Sequence, residues 1–215
     1  MRALSLAAAI ALGAVPAAGR ADRGALTLEL SPALTWWPGW GPAVGSGSGV
    51  AGTTAGGLVG LRYALRHDIE VTASGFYEAS ADFTNPGATV GTDAGPLTGT
   101  SRATVSRWGA LVGARWVHGL VWRWFVGGEI GWAQQSLTKL DLVNVSDPSN
   151  PQSFGLGLAD RSRGALVLSP LAGVEWQFAD HWSVAVTPRV QVMLGGVGRV
   201  AVVLPVSVGY SWYGF

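Results

Sequence analysis

From Trp182 to Leu194 apolar and polar side chains alternate: Trp182, Val184, Val186, Pro188, Val190, Val192 and Leu194 on one parity, Ser183, Ala185, Thr187, Arg189, Gln191 and Met193 on the other. A period of two is that of a β-strand. Seven further segments repeat the pattern. Leu26 to Trp37 opposes Leu26, Leu28, Leu30, Leu34 and Trp36 to Thr27, Glu29, Ser31 and Thr35, and Leu58 to Arg66 opposes Val59, Leu61, Tyr63 and Leu65 to Gly60, Arg62, Ala64 and Arg66. A third, Ile69 to Asp82, sets Ile69, Val71, Ala73, Gly75, Tyr77 and Ala79 against Glu70, Thr72, Ser74, Phe76, Glu78 and Asp82. The remaining four run from Arg107 to Trp116, Trp122 to Gln135, Leu166 to Phe178 and Val200 to Tyr213.

The apolar faces hold no charge. Six arginines (Arg62, Arg66, Arg107, Arg115, Arg123, Arg189) and six acids (Glu29, Glu70, Glu78, Asp82, Glu129, Glu175) fall on the other faces. A water-facing surface is richer in lysine and more loosely patterned. Arginine matched to carboxylate points instead to charges held close and partly desolvated, where the guanidinium fork satisfies both oxygens. The competing reading is a soluble sandwich or lipocalin-like barrel with solvated strand faces.

The connections separate the two. His67 and Asp68, Val117 to Val121, and Ala179 to His181 are tight turns, whereas Pro38 to Gly57, Phe83 to Thr104 and Thr138 to Arg163 are long and rich in Gly, Ser, Thr, Asn, Asp and Pro. Short turns at one end and long loops at the other, with an even strand number, predict an all-β, eight-stranded antiparallel up-and-down transmembrane β-barrel. Aromatic residues sort the same way. Tyr63, Trp116, Trp122, Trp124, Trp176, Phe178 and Trp182 lie beside the short turns, and Trp36, Trp37, Trp40, Tyr77, Phe83, Trp108 and Trp132 beside the long loops. Rings gather in this way at the two boundaries between lipid and water.

Composition narrows the chemistry. The 215 residues include no cysteine, 32 glycines and 11 tryptophans, with a formal net charge of +1. Lys139 is the only lysine and no basic stripe exists, so nucleic acid is excluded as a partner. Without cysteine, and with three isolated histidines, neither a disulfide nor a metal site is expected, and no cofactor. Met1 and Arg2 precede an apolar run from Ala3 to Val15 and a small-residue region ending Ala17, Ala18, Gly19, Arg20, Ala21, the pattern of a secretory signal peptide over residues 1–21, cleaved after about Gly19 or Ala21. That run falls short of the roughly 20 residues a membrane helix needs. Residues 22–215 then form the barrel domain.

The mature chain resembles the small eight-stranded outer-membrane β-barrels of the OmpA, OmpX and OmpW kind over residues 24 to 215. Tyr213, Gly214 and Phe215 resemble the C-terminal aromatic signal of that group, although Phe215 is out of phase with Tyr210 and Trp212. The resemblance implies an integral, monomeric protein of the cell outer membrane, with extracellular loops and both termini periplasmic. It further implies contact with outer-membrane lipid and lipopolysaccharide, and handling by periplasmic chaperones and the barrel-assembly machinery, with Tyr213 and Phe215 as the assembly signal.

Eight strands enclose a lumen that side chains can fill. Counted from the turns, Glu29, Arg62, Glu129 and Arg189 fall near mid-height and, with Arg107 and Glu175, are expected to form an internal ion-pair network, Glu29 with Arg62 on the neighbouring strand being the leading pair. A structural plug is favoured over a narrow conduit, and no enzymatic activity is expected. Three rivals remain. His181, Ser183 and Glu175 form a base, nucleophile and orienter on paper, as in some lipid-modifying barrels, yet sit at the short-turn end. The long loops suit adhesion or other surface contacts. Leu111, Val121, Phe125, Leu171 and Met193 are inward candidates for uptake of a small apolar solute, as in OmpW-like barrels, but are scattered among charges. Pro32, Pro170, Pro188 and Pro205 remove ladder donors, and Pro188 marks the expected bulge or missing bond.

Overall fold

The computed structural model describes residues 23–38, 52–92, 95–144, 152–155, 161–195 and 200–213. The leader at 1–21, Trp40 and Phe215 lie outside the described residues. Alternation becomes ten strands: β1 (Leu26–Trp37), β2 (Gly52–Ala64), β3 (Ile69–Thr92), β4 (Gly95–Gly119), β5 (Trp122–Asn144), β6 (Gln152–Gly155), β7 (Arg161–Gln177), β8 (Trp182–Val186), β9 (Arg189–Leu194) and β10 (Val200–Trp212). Each barrel strand pairs antiparallel with its neighbours, and β10 returns to β1 with Leu26 opposite Trp212 and Trp36 opposite Val202. β8 and β9 are two halves of one stave between β7 and β10. The result is a closed, all-β, eight-stranded antiparallel barrel. Closure leaves no edge in the eight-stave ring, so backbone donors and acceptors find partners around the wall without water.

Burial is inverted relative to a water-soluble β-protein. Leu30 and Leu34 are each 57% exposed, and Val59, Val112, Val126 and Ile130 also face outward, whereas Arg62, Arg107, Arg115, Glu70 and Glu175 are buried. Around the short turns Trp116 meets Trp124 edge-on at 4.9 Å, Trp122 stacks on Trp176 at 5.8 Å, and Trp182 meets Tyr210 at 4.9 Å. At the other end Trp108 meets Trp132 at 5.2 Å. Outward aromatic bands at both ends, with aliphatic side chains between, give the wall the profile of a membrane slab.

Of the twelve expected inward charges one falls elsewhere and one lies outside the described side chains. Arg66 follows the end of β2 and is exposed in the turn at residues 65–68. Between Glu78 and Ala81 the β3–β4 register shifts by one residue, so that Ala81 packs against the core. The expected inward placement of Asp82, just beyond this shift, falls on a side chain outside the described residues.

The expected loops are also largely strand. β3 and β4 stay paired to Thr92 and Gly95, and β5 runs to Asn144, where β6 adds to it. Gly, Asn and Pro in these stretches signal loop, but the interleaved Thr, Val and Leu keep the extended backbone favourable, and bulges absorb the irregular positions. At about 3.3 Å per residue, the 24 residues of β3 span about 80 Å, far more than the roughly 10 residues a bilayer requires. The long-loop end is a tall hairpin wall.

At Pro188 the ladder is interrupted without a bulge. Val186 opposes Val206 and Arg189 opposes Val203, so residue numbers across β8, β9 and β10 keep a constant sum through the gap. Thr187 N–H donates to Pro205 O at 3.2 Å and Ala172 N–H to Pro188 O at 3.2 Å, which holds the register where proline removes a donor.

Close strand approach fixes several glycines. A Cβ at Gly131 would collide with the Ala110 carbonyl oxygen and stand 2.8 Å from Leu111 Cα. Gly131→Ala is expected to destabilise the barrel by about 1–3 kcal/mol through overpacking, read as a lower urea midpoint in detergent; an unchanged midpoint would contradict this packing.

Candidate functional site

The inward parity brings five arginines and five glutamates into the lumen in three tiers, each of zero net charge. Nearest the short turns lie Arg62 on β2, Arg115 on β4 and Arg123 on β5, with Glu29 on β1, Glu70 on β3 and Glu175 on β7. Arg62 reaches across the barrel to the diametrically opposite stave, donating from Nη1 and Nη2 to the two Glu175 oxygens at 2.9 Å each. Its Nε is 3.0 Å from Glu29 Oε1, and its Nη1 is 3.2 Å from Glu70 Oε2. Arg115 Nε donates to Glu70 at 2.8 Å while Nη2 lies 3.2 Å from Glu175, and its guanidinium sits 4.1 Å above the Phe125 ring. Arg123 pairs with Glu70 through Nη2 and with Glu175 through Nη1 at 3.4 Å.

The middle tier is a single pair. Arg189 Nη1 lies 2.7 Å from Glu129 Oε2, and Thr72 donates to the other Glu129 oxygen at 3.0 Å. In the third tier Arg107 pairs with Glu78, which also accepts from Thr35 at 2.7 Å and Thr54 at 3.3 Å. The Arg107 guanidinium lies between the rings of Trp37 and Phe76, at 5.1 and 4.9 Å. Such desolvated cation–π contacts add to the ion pair.

This third tier is set in an apolar half-lumen. Ala33, Trp37, Leu58, Phe76, Leu111 and Met193 belong to one buried cluster, and Phe125 and Leu171 pack with Val117 and Ala185 in a second, lower one. Leu111 and Met193 are thus parts of a continuous apolar layer rather than scattered among charges. Val121 belongs to neither cluster; it lies in the β4–β5 turn, its carbonyl accepting from Gln177 N–H. Three lumenal cavities have volumes of about 10, 20 and 10 Å³, each about the space of one water.

All six residues expected in the network are brought inward: Glu29 and Arg62 meet directly, Arg189 meets Glu129, Arg107 lies apart with Glu78, and Glu175 lies at the centre of the lower tier. Arg62 and Glu175 each lie two residues from a strand end, below the mid-height that turn counting gives to Arg62. Glu70, Glu78, Arg115 and Arg123 complete the tiers. Their inward parity was readable from the alternation, but the choice of partners needs the barrel's shear.

His181, Ser183 and Glu175 share the lower end without the geometry of a relay. The exposed His181 donates from Nδ1 to Ser211 O at 2.8 Å and stacks on Tyr210, while Glu175 is engaged by three arginines. Tyr213, just past β10, donates from its hydroxyl to Asp180 O at 2.8 Å and accepts from Gln177 at 3.2 Å. Partial burial raises the pKa of this phenol. Among the described residues no His, Asp and Glu cluster is arranged to hold a metal.

Among solved structures the barrel is similar to the crystal structure of Neisserial surface protein A (NspA), at 12% sequence identity and a TM-score of 0.55, covering 88% of this chain and 99% of that one. It is also similar to Ail, the attachment invasion locus protein of Yersinia pestis, at 10% identity and a TM-score of 0.50, covering 88% and 99%. No family model and no curated protein sequence matches the chain. The fold is that of the small eight-stranded outer-membrane β-barrels.

Removing one partner from a buried ion cluster leaves its charge uncompensated. Glu175→Gln, which strips three arginines of a shared carboxylate, is expected to destabilise the barrel by about 3–5 kcal/mol. Glu29→Gln should cost less, because Glu29 has one arginine partner and is 16% exposed. Urea unfolding in detergent followed by tryptophan fluorescence would rank the two; equal midpoints would contradict the hierarchy.

Proposed function

We propose that this chain is an integral, monomeric outer-membrane barrel whose role is structural and surface-directed, with a lumen closed to diffusion. The observation that carries the reading is the combination of an apolar, ring-banded exterior with a lumen in which five arginines are matched by five glutamates and the voids are water-sized. Lipid on the outside and paired charges within satisfy both faces of one strand pattern. The likeness to outer-membrane barrels supports this location.

In this reading the short turns and both termini face the periplasm, and the tall hairpins of β3 to β6 project outside the cell toward lipopolysaccharide and surface partners. Chaperones and the barrel-assembly machinery receive the chain on its way, with Tyr213 and Phe215 as the recognised end. Uptake of an apolar solute finds some support in the continuous apolar layer, but Trp37, Phe76 and Met193 already fill it. A catalytic role for Ser183 finds none in the engagement of His181 and Glu175 by other partners.

Two measurements test the proposal. The refolded mature protein is expected to resist SDS until boiled and to shift on a gel; solubility without detergent and no shift would overturn the membrane reading. In planar bilayers it is expected to show no steady open-channel current. Steady current through the unmodified barrel would overturn the closed lumen.

A further inference from the structure

Among the described residues each lumenal arginine has a carboxylate partner, but two arginines at the short-turn end do not. Arg23, which precedes β1, and Arg66, in the β2–β3 turn, are both exposed, and among the described residues neither makes an ion pair or side-chain hydrogen bond. Both line one groove of about 1070 Å³ between that turn and the β4–β5 turn. Val117 N–H donates to Asp68 O at 2.9 Å, which ties the two sides of the groove together.

The walls are of two kinds. Leu65, Trp116 and Leu120 line the groove and are 47%, 42% and 53% exposed. Trp116 belongs to the aromatic band, stacked on His118 at 5.8 Å and edge-on to Trp124. Asp68 is the one acid lining the groove, with Oδ1 shielded from solvent, so two exposed arginines against one acid leave the lining net positive. Unpaired cations beside an apolar, ring-lined wall at the membrane boundary complement an amphiphile with an anionic head.

We propose that this groove binds one anionic glycerophospholipid, its phosphate between Arg23 and Arg66 and its acyl chains along Leu65, Trp116 and Leu120. The guanidinium fork suits a phosphate's paired oxygens. Bound there, the lipid would cover the exposed apolar floor and tie the segment before β1 to the turns. The inference rests on the membrane reading but not on which end faces the periplasm.

The test uses the mature protein refolded into nanodiscs of phosphatidylcholine doped with phosphatidylglycerol, present in both leaflets, with the gel shift recorded on the same sample. Native mass spectrometry after release is expected to show one retained phosphatidylglycerol. Retention should weaken about 25-fold in Arg23→Ala/Arg66→Ala, since each arginine near an anionic surface contributes roughly fivefold. Arg163→Ala, at the opposite end, should retain it as the unmodified protein does. Retention of phosphatidylcholine to the same extent, survival of phosphatidylglycerol in the double variant, or displacement by millimolar inorganic phosphate would each overturn the lipid site. Absence of the gel shift would overturn the membrane reading beneath it.

Discussion

The cross-lumen pair of Arg62 and Glu175 is the contact on which the lower half of the barrel depends. The two residues stand on opposite staves, 113 positions apart in the chain, and their doubled hydrogen bond spans the lumen at its most highly charged level. Two carboxylates, Glu70 and Glu175, each serve all three arginines of this tier, so each of its arginines has at least two carboxylate partners. At positions buried as deeply as these an unpaired charge costs several kcal/mol, and the tier is stable only as a set. Strand register and ionic pairing therefore enforce each other. A one-residue slip would turn these arginines toward lipid, where nothing could compensate them.

Much of this is legible from alternation alone, because parity in a strand is a local property. The facing of Glu29, Arg62, Glu129, Arg189, Arg107 and Glu175 needs only a count of residues from a turn. The Glu29–Arg62 contact is nearly as local, since β1 and β2 are adjacent. Pairing of Arg62 with Glu175 is different: it depends on shear, on side-chain reach and on a narrow lumen, none of which a residue count contains. Counting also fails where the strand pattern itself breaks. Arg66 drops out because the strand ends two residues earlier, and the β3–β4 register shifts by one residue just before Ala81.

The projecting hairpins were obscured for a different reason. Glycine, asparagine and proline raise the cost of a strand without forbidding it, and pairing across the β3–β4 hairpin supplies a backbone partner at nearly every position up to Thr92. Composition sees the cost and not the partner. Glycine has a second, volumetric role inside the wall. A Cβ at Gly173 would come within 2.8 Å of Phe125 Cε2, and one at Gly209 within 2.8 Å of Ser183 Oγ and 3.4 Å of Arg62 Nη2. An eight-stranded lumen is only wide enough for its side chains, so large groups on one stave require almost nothing on the stave beside them.

The same volume argument separates the halves of the barrel. Guanidiniums must be neutralised wherever they are buried, so arginines concentrate where several carboxylates can be shared, at the short-turn end. Toward the hairpins the described residues hold one ion pair, and its arginine is enclosed by Trp37, Phe76 and Met193, which fill space without needing a partner for every atom. A chain that fills one half of its lumen with mutually neutralised charge and the other with packed rings leaves its exterior and its two ends to meet other molecules. At the short-turn end the unpaired Arg23 and Arg66 mark where the rule of internal neutralisation stops, and where a partner from outside the chain can supply the missing anion.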